Sequence, residues 1–115
     1  MYKNENLTEV TIGGISQRSY NLILSAIAAM PEIDTVLLFG SRAKGKYSPG
    51  SDIDLAVKGE NFTLKHLHRL SEQVNEELPI PYHIDITHYS TIKDPLLKQQ
   101  IDHWGIAIYQ RPQKV

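Results

Sequence analysis

Two aspartates, Asp52 and Asp54, are separated by one residue in "SDIDL". On a β-strand that spacing puts both carboxylates on one face, close enough to bind the same divalent cation; without a cation they repel. About ten residues earlier, "FGSRAKG" follows the apolar run "TVLLF". Gly40 there permits a turn with positive φ or a close approach of ligand to backbone, and Ser41 offers a hydroxyl and a helix start. Amides exposed at such a turn cradle phosphates, and Arg42, Lys44 and Lys46 add local positive charge. A third acid, Asp85, lies at the centre of "YHIDIT", and pairing of its strand with the first would bring it to the same point. Three converging acids around Mg²⁺ are what two-metal phosphoryl transfer requires. Each part alone is weak: a D-x-D is more often a solvated polar face, Asp85 a polar position on an open side of a sheet, and "GSRAKG" a basic surface turn.

The elements that must position these residues follow from periodicity. Ser16 caps a helix in which Tyr20, Ile23, Leu24, Ile27 and Met30 recur at helical spacing until Pro31. Thr35–Phe39 is a buried strand bounded by Asp34 and Gly40. "SDIDLAV" alternates, with Asp52, Asp54 and Ala56 opposite Ile53, Leu55 and Val57. From about Phe62 to Leu78, Leu64, Leu67, Leu70 and Val74 form a narrow helical stripe ended by Pro79 and Pro81. Tyr82–Thr87 alternates as a third strand, with His83, Asp85 and Thr87 on its polar side. Asp94 as N-cap, Pro95 at the first helical position and Gly105 beyond the end frame a last helix carrying Leu97, Ile101 and Trp104. "IAIY" adds a closing strand, and the apolar stretch of Trp104, Ile106, Ile108 and Tyr109 reads first as core and second as a partner surface. The expectation is an α/β (α+β) fold with a small mixed sheet flanked by helices, one domain over residues 1–115, with 1–14 and 110–115 as loose ends.

Composition narrows the chemistry. The formal net charge of −1 makes no case for non-specific attachment to nucleic acid or membranes. Cysteine is absent, which excludes a thiol nucleophile, a thiolate metal site and a disulfide framework. There is no signal-type leader or run of about 18 apolar residues, so a soluble cytoplasmic protein is expected. His66 and His68 are two apart on a helix and His83 and His88 lie at opposite ends of a strand and its exit, so a zinc site is not expected. The turn is neither a Walker loop nor G-x-G-x-x-G.

The ordered set F-G-S-R-A-K-G, S-D-I-D-L and a later I-D-I resembles the nucleotidyltransferase superfamily related to DNA polymerase β, in its minimal (MNT) form. The family pattern is met at Gly40, Ser41, Ala43, Gly45, Asp52, Asp54 and Asp85, and the match covers Leu37–Val57 and Tyr82–Thr87, under a third of the chain. The resemblance implies that Asp52 and Asp54 ligate two Mg²⁺ ions and that Asp85 joins them at the catalytic ion. It also implies that Gly40 and Ser41, with Arg42 and Lys44, hold the nucleotide. The reaction implied is transfer of AMP from ATP to a hydroxyl with release of pyrophosphate. Chains of this size resemble the MNT antitoxin of HEPN–MNT toxin–antitoxin pairs, which implies a separate helical HEPN partner and a tyrosine acceptor. Two other readings stay open. One is a non-catalytic nucleotide-binding module that neutralises a partner by contact. The other is a small-molecule transferase of the aminoglycoside-resistance type, which normally needs an added substrate domain.

Overall fold

The computed structural model of the chain describes residues 12–112. Residues 1–11 and 113–115, which make up most of the two ends expected to be loose, lie outside the described residues. The described parts of those ends are tied down. Ile12–Gly14 forms a short 3₁₀ turn, Gln110 belongs to a strand, and the Arg111 guanidinium donates to the Pro31 carbonyl and, at 2.6 Å, to Asp34 Oδ1.

Four helices and four strands follow: α1 (Gln17–Ala28), β1 (Thr35–Phe39), α2 (Ser41–Lys44), β2 (Ile53–Lys58), α3 (Leu64–Glu72), β3 (Ile84–His88), α4 (Pro95–Trp104) and β4 (Ile106–Gln110). The capping chemistry acts as expected. Ser16 Oγ accepts from the Ser19 amide at 3.3 Å, and Asp94 Oδ1 accepts from the Leu96 amide at 2.9 Å with Pro95 leading α4.

The sheet order is β3-β2-β1-β4. β1 is antiparallel to both β2 and β4, whereas β2 and β3 are parallel, as a crossover through α3 requires. Both faces of the sheet are covered. On one, Val36, Leu38, Ile53, Leu55, Val57, Ile84 and Ile86 pack with residues of α1 and with Leu70 and Val74. On the other, Phe39 and Ala56 meet Ile101 of α4, with Leu37 and Leu97 against them. Ala56, expected on a polar face, is fully buried. With Ala56 covered by α4, the aspartate face is open at the end of the strands that carries Asp54.

The helix expected over Phe62–Leu78 is interrupted. α3 passes into a π-helical turn, Gln73–Glu77, where the Leu78 amide donates to the Gln73 carbonyl at 3.0 Å. Leu64, expected on the buried stripe, is 64% exposed, because it stands at the first position of α3, with the packed part of the stripe beginning at Leu67. Among the described residues, no helix is long and apolar enough to cross a membrane.

Arg42 departs furthest from expectation. Instead of facing ligand, its side chain is turned inward and the residue is 2% exposed. Nε and Nη2 donate to the Ser51 carbonyl at 3.1 and 2.9 Å, Nη1 to Gly13 O at 2.7 Å, and Nη2 to Pro49 O at 3.2 Å. Tyr47 and Tyr82 lie over the guanidinium, each with its ring centroid 5.0 Å from Cζ. Burying a cation is costly unless it is hydrogen-bonded, and here carbonyl dipoles and ring faces replace water. Arg42 thus clasps the loop that leads into β2, its guanidinium taken up by protein carbonyls rather than turned toward solvent. Arg42→Met would leave three carbonyls without this donor and should destabilise the protein by about 2–4 kcal/mol in chemical denaturation. A surface phosphate contact would cost less than about 0.5 kcal/mol on mutation.

Candidate active site

The open end of the aspartate face is built by strand register. Phe39 of β1 pairs with Asp54 of β2, and Asp54 pairs with Asp85 of β3, so the three residues occupy one rung across the sheet. Directly paired residues project to the same side, which brings the two carboxylates together as the alternation of each strand requires. Asp52 precedes β2 and is exposed, as is Asp85, whereas Asp54 is partly buried. Their proximity is felt electrostatically: burial, then the charges of Asp85 and Asp52, raise the carboxyl pKa of Asp54, while His83 opposes the rise.

Gly40 closes the rung. Its φ of 74° lies in the left-handed region, and Asp54 Oδ2 occupies the space in which a side chain at position 40 would sit. Two separate constraints therefore demand glycine here. The one-turn helix α2 follows, with the Gly40 carbonyl accepting from the amides of Ala43 and Lys44 at 3.2 Å each. Ser41, partly exposed, is its first residue, beside the carboxylate that Gly40 admits. Lys44 is at its end, its Nζ 5.8 Å from the ring centroid of Trp104.

A clamp that no motif announced supports the third acid. Asn75, in the π-helical turn, makes both a donor and an acceptor bond to the backbone of Ile84: Nδ2 donates to its carbonyl and Oδ1 accepts from its amide, each at 2.9 Å. β3 has a strand on one side only, and the Asn75 amide supplies, next to Asp85, the pairing that a further strand would give. No local pattern marks Asn75 for this, since only the π turn and the crossover bring it to the strand edge.

The donor set suits a hard divalent cation. Carboxylate oxygens are what Mg²⁺ takes, and a cation at Asp54 would offset both the burial of its charge and the repulsion from Asp85 and Asp52 that raise its pKa. Among the described residues, no three His, Asp or Glu side chains form a ready cage for an ion. The acids form an open cluster, to which substrate oxygens and water would add ligands.

The raised pKa of Asp54 predicts a stability change of definite sign. A folded carboxylic acid that holds its proton above the ordinary 3.8 loses stability as pH climbs through its raised value. Asp54→Asn removes that penalty. In metal-free buffer at pH 7 the variant should melt no lower than the parent, and any advantage should vanish as the pH falls toward 3.8. Thermal melts across this pH range in the presence of a chelator would check it, and a variant less stable than the parent at pH 7 would contradict it.

The same fold recurs in solved structures. A chain of a toxin–antitoxin complex solved with AMP-PNP aligns with a TM-score of 0.66 at 22% identity, covering 80% of this chain and 73% of that one. A chain of the tri-AMPylated Shewanella oneidensis HEPN toxin in complex with MNT antitoxin aligns with a TM-score of 0.62 at 21% identity, covering 83% and 72%. A structure described as a minimal nucleotidyltransferase aligns with a TM-score of 0.55 at 26% identity, covering 78% and 89%. Among curated protein sequences, none matches. A family model described as "Polymerase beta, Nucleotidyltransferase" matches residues 21–114, which contain the Gly40 turn, Asp52, Asp54 and Asp85. By that match, which spans most of the chain, the protein belongs to the polymerase β nucleotidyltransferase family.

Proposed function

We propose that this chain transfers AMP from ATP to a hydroxyl, a tyrosine on a separate helical HEPN-type protein, and so acts as the antitoxin of a HEPN–MNT pair. The observation that carries the reading is the single rung in which Asp54 faces Asp85 while pressing on the Gly40 turn. Two carboxylates of a kind that can bind a divalent cation thus adjoin a glycine turn, in a chain of the nucleotidyltransferase family, and this supports the reading. Support for the partner comes from the complexes of like fold, one containing an AMPylated HEPN toxin and another solved with AMP-PNP.

In this reading Asp52 and Asp54 would hold two Mg²⁺ ions, with Asp85 joining them as a third acid. The bound ions supply charge neutralisation of the phosphates and a lowered pKa for the acceptor hydroxyl. Gly40 and Ser41 hold the β- and γ-phosphates through the amides of the turn. Lys44 adds charge at the far end of α2. Asp85, at the exposed edge of the rung, faces the side from which an acceptor arrives and helps to orient its hydroxyl. The hydroxyl gives its proton to the exposed Asp85 carboxylate as its oxygen bonds to the α-phosphorus, the bond to the bridging oxygen breaks, and pyrophosphate leaves with that oxygen. A docked partner supplies the acceptor at high effective concentration.

Incubation with α-labelled ATP, Mg²⁺ and a HEPN-type protein should add one nucleoside monophosphate to that protein and release one pyrophosphate for each transfer. Asp54→Asn should lower the rate by roughly a thousandfold, corresponding to ~4 kcal/mol of lost charge stabilisation, without loss of fold. Near-parental turnover in that variant would reject the assignment. Gly40→Ala should lose activity as well, since the new methyl would displace the Asp54 carboxylate. Labelling of a free sugar or drug while the HEPN-type protein stays unlabelled would overturn the protein-acceptor reading.

A further inference from the structure

Trp104 is a core-type residue with no core to enter. It stands three and seven residues after Ile101 and Leu97, on the stripe of α4 that faces the sheet. Ile101 is 1% exposed on that stripe, yet Trp104 is 46% exposed. The difference arises because the stripe runs past the end of the sheet. Gly105 packs against Leu37, Ile106 pairs with Leu38, and β1 ends at Phe39, so Trp104 projects beyond the strand ends at the side where Gly40 turns. It does so on the face that carries Phe39, Asp54 and Asp85.

Two neighbours hold the ring there. Lys44 Nζ lies 5.8 Å from its centroid, and the His103 ring meets it edge-on at 5.0 Å and 80°. Lys44 ends the single turn that Ser41 begins, so the ring and the phosphate-type turn are separated by about one helical turn, ~5 Å along the axis, plus the length of a lysine side chain. A nucleoside triphosphate is long enough to cover that separation. An exposed indole presents a flat apolar surface on which any base can stack, and the adjacent ammonium suits the polyphosphate that accompanies the base.

We propose that Trp104 is the platform on which the nucleobase stacks, with Lys44 bridging the ring and the phosphates; the proposal rests on the nucleotide-transfer reading above. It assigns recognition of the base to the end of α4, in a chain whose family motif accounts only for phosphates and metal. Stacking without edge contacts tolerates different bases, so the ring contributes affinity rather than choice of base.

Trp104 is the sole tryptophan of the chain, so its fluorescence reports on this position alone. With Mg²⁺ present, ATP should quench that fluorescence, and inorganic tripolyphosphate, which has no base, should not. By calorimetry Trp104→Leu should bind ATP on the order of tenfold more weakly while binding tripolyphosphate like the parent, and Trp104→Tyr, which keeps a ring, should recover most of the loss. ATP bound equally by the parent and Trp104→Leu overturns the proposal and leaves the site at Gly40–Asp85 standing. Equal ATP affinity together with loss of binding to a HEPN-type protein in Trp104→Leu also overturns it, giving the ring to the partner. A parent that binds neither ATP nor tripolyphosphate brings down the functional reading and this proposal together.

Discussion

Asp54 and Asp85 face each other across a pair of parallel strands, and like charges in one rung oppose the pairing that holds them there. Burial first, and then this repulsion, raise the carboxyl pKa of Asp54. A fold that keeps this rung must compensate elsewhere, and it does so with apolar packing on both faces. Ile53, Leu55, Ile84 and Ile86 lie buried on the side opposite the acids, and Phe39 and Ala56 sit under Ile101 on the same side. The charged cluster is thus a local strain borne by two cores.

The segments bearing the acids are held from behind by polar clamps rather than by regular pairing alone. Arg42 gathers the carbonyls of Gly13, Pro49 and Ser51, so the loop entering β2 is fixed immediately before Asp52. Asn75 does the corresponding work for β3 through Ile84, immediately before Asp85. Tyr82 reinforces the first clamp: its ring covers the Arg42 guanidinium and its hydroxyl accepts from the Ser16 amide at 3.2 Å. Each clamp uses side-chain groups to satisfy backbone polar atoms that no strand or helix reaches, as buried and edge backbone requires. The π-helical turn that aims Asn75 illustrates why such turns accompany functional sites.

Gly40 shows how one position can serve both fold and chemistry. Its positive φ turns the chain out of β1, and its missing side chain leaves room for the Asp54 carboxylate. Any larger residue would disturb the acid and the turn together, so the G-S pair and the D-x-D pair form one spatial unit although more than ten residues separate them in the chain.

Local patterning by itself determined several of the elements and the alternation of the strands. β1 spans Thr35–Phe39 as its apolar run implies, α1 starts at the Ser16 cap, and α4 is framed by Asp94, Pro95 and Gly105, because periodicity and capping depend on neighbours within one or two turns. The two-residue period likewise put Asp54 and Asp85 each on a definite side of its strand. Only the tertiary structure decided that β2 and β3 are adjacent, parallel and in the register that opposes those two acids, since pairing depends on residues about thirty apart and on the crossover between them. It decided also that Arg42 points inward. A basic turn reads as a solvated or ligand-facing surface until the carbonyls of Gly13, Pro49 and Ser51 and the rings of Tyr47 and Tyr82 are brought around it. Trp104 is the converse case. Its place on the α4 stripe foretold burial, but the sheet beneath ends before the stripe does, and the length of a sheet relative to the helix above it is a property of the assembled fold.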